Sequence, residues 1–153
     1  MRILKLSQRN LEEIVKVAVK SIKQGKALVC PTDTVYGLIA DATNERAVEK
    51  VLKIKKRKAQ KPIPIFVKDI NVAKKLAKID KKQEEFLKSV WPRKVTVVLK
   101  AKNRKFPKGI LSRGGKIGLR IPNYKLINQL LLIINRSLTG PRQIFLENHL
   151  QRK

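Results

Sequence analysis

Pro31-Thr-Asp-Thr-Val-Tyr-Gly-Leu38 follows directly on the apolar run Ala27-Leu-Val-Cys30. The change at Pro31 is abrupt, with hydroxyls and a carboxylate replacing aliphatic side chains within one step. The pattern predicts a short buried strand over residues 26–30 with polar groups at its carboxyl end, where open α/β sheets gather ligand-binding residues. Pro31 lacks the amide proton that would continue strand pairing, and Gly37 lets backbone approach a ligand or take positive φ. From composition alone, a polar loop that merely closes a strand is the alternative reading, and the rest of the chain has to decide between them.

Upstream, Leu11, Ile14, Val15, Ala18 and Ile22 repeat at helical spacing, with Asn10 placed as a cap and Gly25 as a stop. Glu12 and Glu13 fall in the first turn, where the helix dipole favours them. Residues 2–6, with Leu4 and Leu6 alternating around Lys5, predict an edge strand. Downstream, Asn44 is placed to cap a second helix with Ala47, Val48, Val51 and Leu52 inward. A basic run over 53–61 ends at Pro62, and residues 63–67 predict another buried strand. Helices follow around 70–77 and 82–90, then a strand over 94–101 and an exposed loop over 103–115. A strand over 116–121 and an apolar helix over 124–134 come next. The alternation predicts an α/β fold, a single domain whose mixed β-sheet is flanked by helices.

A chain of 153 residues suits one domain with a real core, and 42% hydrophobic content argues against a disordered tail. No apolar run is long enough to cross a bilayer, and a secretory signal is not expected. Cys30 is the single cysteine, which excludes an internal disulfide and a cysteine metal cage. Lys and Arg number 37 against 11 Asp and Glu, a formal charge of +26. Such a field attracts polyanions, RNA and nucleotide phosphates among them, although lysines spread along the whole chain also suit a generally basic proteome. With four Phe, two Tyr and one Trp, a stacking platform for single-stranded nucleic acid is not expected.

Three further stretches carry possible chemistry. Ile54-Lys-Lys-Arg57 sets Lys55 and Arg57 one residue apart at a helix exit. In an extended segment they would share a side and could hold a triphosphate or a carboxylate; a solvated helix end is the alternative. In Trp91-Pro-Arg-Lys-Val-Thr96, which leads into a strand, Trp91 reads as a core aromatic. Ile117-Gly-Leu-Arg-Ile-Pro122 puts Arg120 on an apolar strand, where burial is expensive unless the charge is paired. A surface or edge arginine is the alternative there.

Taken together and in order, these stretches resemble the motifs of the YrdC-like family, the threonylcarbamoyl-adenylate synthases that begin modification of the adenosine beside the anticodon in tRNA. The octapeptide ending at Leu38 is similar to the family signature. Lys55 and Arg57 followed by Lys61-Pro62 match a Lys-x-Arg pair before Lys-Pro or Asn-Pro. The stretch from Trp91 to Thr96 resembles Trp-Pro-Gly-x-x-Thr, with Arg93 in place of the glycine, and Arg120-Ile-Pro122 resembles Val-Arg-x-Pro. The resemblance runs from residue 31 to 122 and implies the family's twisted mixed β-sheet.

It also implies a reaction that condenses L-threonine, bicarbonate and ATP into L-threonylcarbamoyl-adenylate, releasing pyrophosphate. Lys55 and Arg57 are the implied catalytic pair, neutralising phosphate and carbamate charge. Arg120 is implied as the clamp for the threonine carboxylate, with Thr32, Thr34 and Tyr36 orienting substrates. Magnesium is expected to accompany ATP, with no protein metal site. Expected partners are tRNA or double-stranded RNA and the threonylcarbamoyl-transferase proteins that use the intermediate, in the cytoplasm and without a membrane. A double-stranded RNA or tRNA-binding module without synthase activity is the implied alternative.

The resemblance departs after Ser137-Leu-Thr-Gly140, which should lead into Thr-Ser-Ala-Asn-Ile-Ser-Gly. The chain reads Pro141-Arg-Gln-Ile-Phe-Leu-Glu147 instead. One codon spelling of Gly140 to Glu147, read one base earlier, encodes the missing motif. The expectation is therefore a family domain over 1–140 with an incomplete C-terminus, and an aberrant, disordered tail over 141–153 produced by a shift of frame. His149, the single histidine, falls in that tail and is assigned no catalytic role.

Overall fold

Val15, Ala18 and Ile22 line the buried side of α1 (Leu11–Lys23), and Gly25 (φ 82°) lets the chain turn out of it. The computed structural model describes residues 3–5, 7, 9–55, 62–141 and 145–147, with backbone alone at Lys55 and 145–147. Asn10 occupies the cap position of α1 but does not cap it with its side chain. Its carboxamide accepts from Ser7 N (2.7 Å) and donates to Lys5 O (2.6 Å), folding the preceding residues into a local loop. The edge strand expected over 2–6 accordingly does not form at residues 3–5.

β1 (Leu28–Cys30) and β2 (Gly37–Ile39) form an antiparallel pair of their own, Cys30 opposite Gly37. This corrects the expectation of a buried strand. Leu28 is half-buried and Val29 exposed, as suits a two-stranded ribbon covered on one side. Gly37 allows a close approach within the chain. A Cβ there would lie 2.9 Å from Pro141 Cδ, so the neighbour is the chain itself.

Asn44 caps α2 (Glu45–Lys55) by accepting from Ala47 N at 3.1 Å, and Ala47, Val48 and Val51 are fully buried. β3 (Ile65–Phe66) follows. Asp69 caps α3 (Ile70–Leu76), and Asp80 with Gln83 makes a reciprocal capping box at α4 (Lys81–Val90). β4 (Thr96–Lys100) is rich in the β-branched residues that fit a pleated, packed surface, and β5 (Lys116–Arg120) follows it. α5 (Lys125–Ile134), β6 (Leu138–Thr139) and β7 (Phe145–Glu147) complete the order.

The five-stranded sheet runs β6-β3-β5-β4-β7. β3 pairs in parallel with β5 and antiparallel with β6; β4 pairs antiparallel with β5 and in parallel with β7. The sheet is mixed, as expected. Ile65, Val97, Leu99, Ile117 and Leu119 pack with α2, α3 and α4 in one apolar cluster. Phe66 and Leu138 join α1 and α5 in a second. Each fully buried aliphatic side chain contributes about 1.5–3 kcal/mol relative to leaving it exposed, so both clusters stabilise the sheet.

Two expectations about loops are corrected. The stretch 103–115 is not exposed throughout, since Ile110 is fully buried and Ile63 N donates to Gly109 O at 2.7 Å. Gly109 has φ 103° and its missing Cβ makes room for Leu52, which accounts for a glycine in that turn. The expected disordered tail contains a strand, because Phe145–Glu147 pairs with β4. The sequence there, Ile144-Phe-Leu146, has strong strand preference, and the free edge of β4 supplies backbone partners. His149 lies outside the described residues.

Candidate functional site

The signature octapeptide begins as the connection between β1 and β2, and its own hydroxyls shape it. Thr32 Oγ1 donates to Val35 O (2.6 Å), accepts from Thr34 N (3.2 Å) and lies 3.1 Å from Thr34 Oγ1. This local closure is the reason a buried threonine suits position 32, since its hydroxyl replaces backbone pairing that the turn interrupts. Tyr36 is turned outward and is 72% exposed. Thr139 secures the far side: its hydroxyl donates to Leu38 O (2.8 Å) and accepts from Ala40 N (2.9 Å), tying β2 to β6.

Asp33 reaches from this loop to the end of β5. Its Oδ1 accepts from Arg120 Nη2, and its Oδ2 accepts from Asn123 N at 3.0 Å. Arg120 is 1% exposed, so the reading of a surface or edge arginine is overturned. The guanidinium also donates from Nε to Arg93 O (3.3 Å) and sits 5.3 Å from the centroid of the Phe66 ring. Nη1 is buried without a hydrogen-bond partner among the described residues. A charged donor held this way is prepared for an anion, because Asp33 and Phe66 offset burial of the charge while one edge of the fork stays unused.

Sequence reasoning singled out Thr32, Thr34, Tyr36, Lys55, Arg57 and Arg120. The structure brings Arg120 to the signature loop through Asp33, and places Thr32 and Thr34 in one turn. Lys55 closes α2, and Arg57 lies outside the described residues, as do 56 and 58–61. Trp91 has the packing role expected of it: it is buried, with Nε1 donating to Val95 O at 2.9 Å. Asp33 was missed as a site residue. The signal was available, since an arginine on an apolar strand needs a carboxylate and the signature contains one. Burial pushes the Cys30 thiol from 9.0 up to about 11, so it stays protonated near neutral pH and is a poor nucleophile.

Among the described residues no three His, Cys, Asp or Glu side chains are grouped to hold a metal ion. No helix among them is long and apolar enough to cross a membrane.

Comparison with known proteins finds relatives over most of the chain. The model of the Sua5/YciO/YrdC family, described as telomere recombination, matches residues 20–143. A putative threonylcarbamoyl-AMP synthase of Methanocaldococcus jannaschii is 34% identical over 135 residues, covering 87% of this chain and 63% of the relative. The threonylcarbamoyl-AMP synthase of Pyrococcus abyssi is 31% identical over 140 residues, or 91% of this chain and 41% of the relative. The crystal structure of P. abyssi Sua5 complexed with L-threonine superposes with a TM-score of 0.78 at 30% identity, over 92% of this chain and 39% of that one. The chain thus spans less than two thirds of the length of these relatives.

Proposed function

The chain belongs to the Sua5/YciO/YrdC family, and on that premise we propose that it is an L-threonylcarbamoyladenylate synthase acting in tRNA modification. The observation that carries the reading is Arg120, buried and charge-balanced beside the signature loop with Nη1 uncommitted. That group suits a substrate carboxylate, and the related P. abyssi protein has been crystallised with L-threonine.

In the proposed reaction the threonine amine attacks bicarbonate and water leaves, giving a carbamate. A carbamate oxygen then attacks the α-phosphorus of ATP and pyrophosphate departs. Three anionic groups must be held together, so positioning and charge neutralisation supply most of the acceleration. Arg120 holds the threonine carboxylate. Lys55 and Arg57 balance phosphate and carbamate charge, and Thr34 and Tyr36 orient the substrates. Thr32 acts chiefly by holding the loop, since its hydroxyl is committed there. Magnesium would enter with ATP and would offset the charge of its phosphates. The product passes to threonylcarbamoyl-transferase proteins, and the reaction takes place in the cytoplasm.

A second reading, a tRNA or double-stranded RNA-binding module, is supported by the +26 charge and by exposed Lys16, Lys20 and Lys23 along α1. Its mark would be affinity that falls steeply with salt. On the synthase reading, the departure after Gly140 is a shift of frame that replaces a Thr-Ser-Ala-Asn stretch; sequencing the gene across that codon tests it.

Pyrophosphate release with ATP, bicarbonate and L-threonine separates the readings, run beside a chain carrying the Thr-Ser-Ala-Asn frame. Threonine-dependent release by the chain as written supports a working synthase. Release from the restored chain alone assigns the reaction to the family motif and makes this product inactive. No release from either overturns the synthase reading in favour of RNA binding.

A further inference from the structure

Two buried side-chain polar atoms lack a hydrogen-bond partner among the described residues: Arg120 Nη1 and Thr96 Oγ1. They belong to neighbouring strands. β4 and β5 are antiparallel with Val97 opposite Leu119 and Val98 opposite Gly118, so the next rung sets Thr96 opposite Arg120. Residues on one rung of an antiparallel pair present their side chains to the same side of the sheet, with Cβ atoms about 4.5–5.5 Å apart. The Nε bond to Arg93 O brings the guanidinium to the segment that leads into β4, three residues before Thr96. Phe66 pairs with Arg120 on the other side, completing the row.

Leaving a hydroxyl and a guanidinium nitrogen unsatisfied in the interior is costly, and such groups call for an explanation. Thr96 is 0% exposed. Valine has nearly the same shape and would carry no hydroxyl to bury. Two such atoms on a single rung suit one acceptor shared between them.

We propose that Thr96 and Arg120 together form an oxyanion subsite, in which the hydroxyl and Nη1 donate to a planar carboxylate-type group. This rests on the synthase reading and adds Thr96 to it as a ligand-contacting residue. Two substrates carry that chemistry, L-threonine through its carboxylate and bicarbonate itself.

The test compares the full chain with Thr96→Val and Thr96→Ser, titrated calorimetrically with L-threonine and, separately, with bicarbonate in the presence of L-threonine. Melting temperatures are measured without ligand. Thr96→Val is expected to weaken oxyanion binding about tenfold, the usual worth of a hydrogen bond to a charged group. Its melting temperature should not fall, because the lost hydroxyl has no partner among the described residues. Thr96→Ser should bind within about twofold of the parent. Loss confined to the L-threonine titration identifies the amino-acid carboxylate; loss confined to bicarbonate identifies the carbon donor. Unchanged binding by Thr96→Val overturns the subsite while leaving the synthase reading standing. A lowered melting temperature with weakened binding in both variants overturns it in favour of a packing role. A parent chain that binds neither ligand overturns the synthase reading and the subsite with it.

Discussion

Two Asp–Arg pairs join the N-terminal segment to the strands and turns of the second half of the chain, and they behave differently. Asp41 is 2% exposed, but its partner Arg136 is 57% exposed and donates from Nη1 to Asp41 Oδ2 at 2.9 Å. The other oxygen of Asp41 accepts from Thr43 N (2.8 Å) and Thr43 Oγ1 (2.6 Å), so that carboxylate is satisfied within its own turn. In the Asp33–Arg120 pair both side chains are buried, and one nitrogen of the arginine has no hydrogen-bond partner among the described residues. The first pair finishes a turn and lets the cation reach water. The second keeps a charge in the interior with spare donor capacity, which stability alone does not require.

Arg120→Met should break this contrast most severely. It leaves Asp33 buried without its cation, an expected loss of about 3–5 kcal/mol in chemical denaturation, with threonine-dependent activity abolished. Asp33→Asn keeps the shape but strands the guanidinium charge, so a loss of about 3 kcal/mol and a raised KM for L-threonine are expected. Retention of parental KM would show that the pair serves folding alone. Asp41→Ala removes an acceptor from a backbone amide and should cost about 1–3 kcal/mol without altering KM. Arg136→Ala should change stability by less than about 1 kcal/mol, because the cation is mostly in water. A large effect of that substitution on KM would erase the distinction between the pairs.

The same contrast explains what the sequence disclosed. Helices were legible from local signals: the stripe of Val15, Ala18 and Ile22, the Asn44 cap, and the apolar run that became α5. Arg120 was legible as costly, and Trp91 as core. The Asp33–Arg120 bond was harder to see, because it joins residues far apart in the chain and no periodicity links them. Strand pairing was hidden for a related reason. A short apolar run such as Ala27-Leu-Val-Cys30 fits a central strand or a two-stranded ribbon, and only its partner decides. The stretch around Ile110 reads as loop because Gly109 and its basic neighbours dominate it, whereas Ile110 itself joins the main apolar cluster. Thr96 gave no signal, since a threonine on a strand is ordinary until its hydroxyl is found without a partner.

The most direct measurement is L-threonine affinity for the parent chain, Arg120→Lys and Arg136→Ala, by calorimetry under one set of conditions. Lysine keeps the charge but loses the forked geometry that serves Asp33 and a substrate carboxylate together. The account predicts that Arg120→Lys loses at least about tenfold in affinity while Arg136→Ala stays within about twofold of the parent. Equal affinities for all three would contradict it, leaving Arg120 as one more buried arginine and moving the binding site elsewhere.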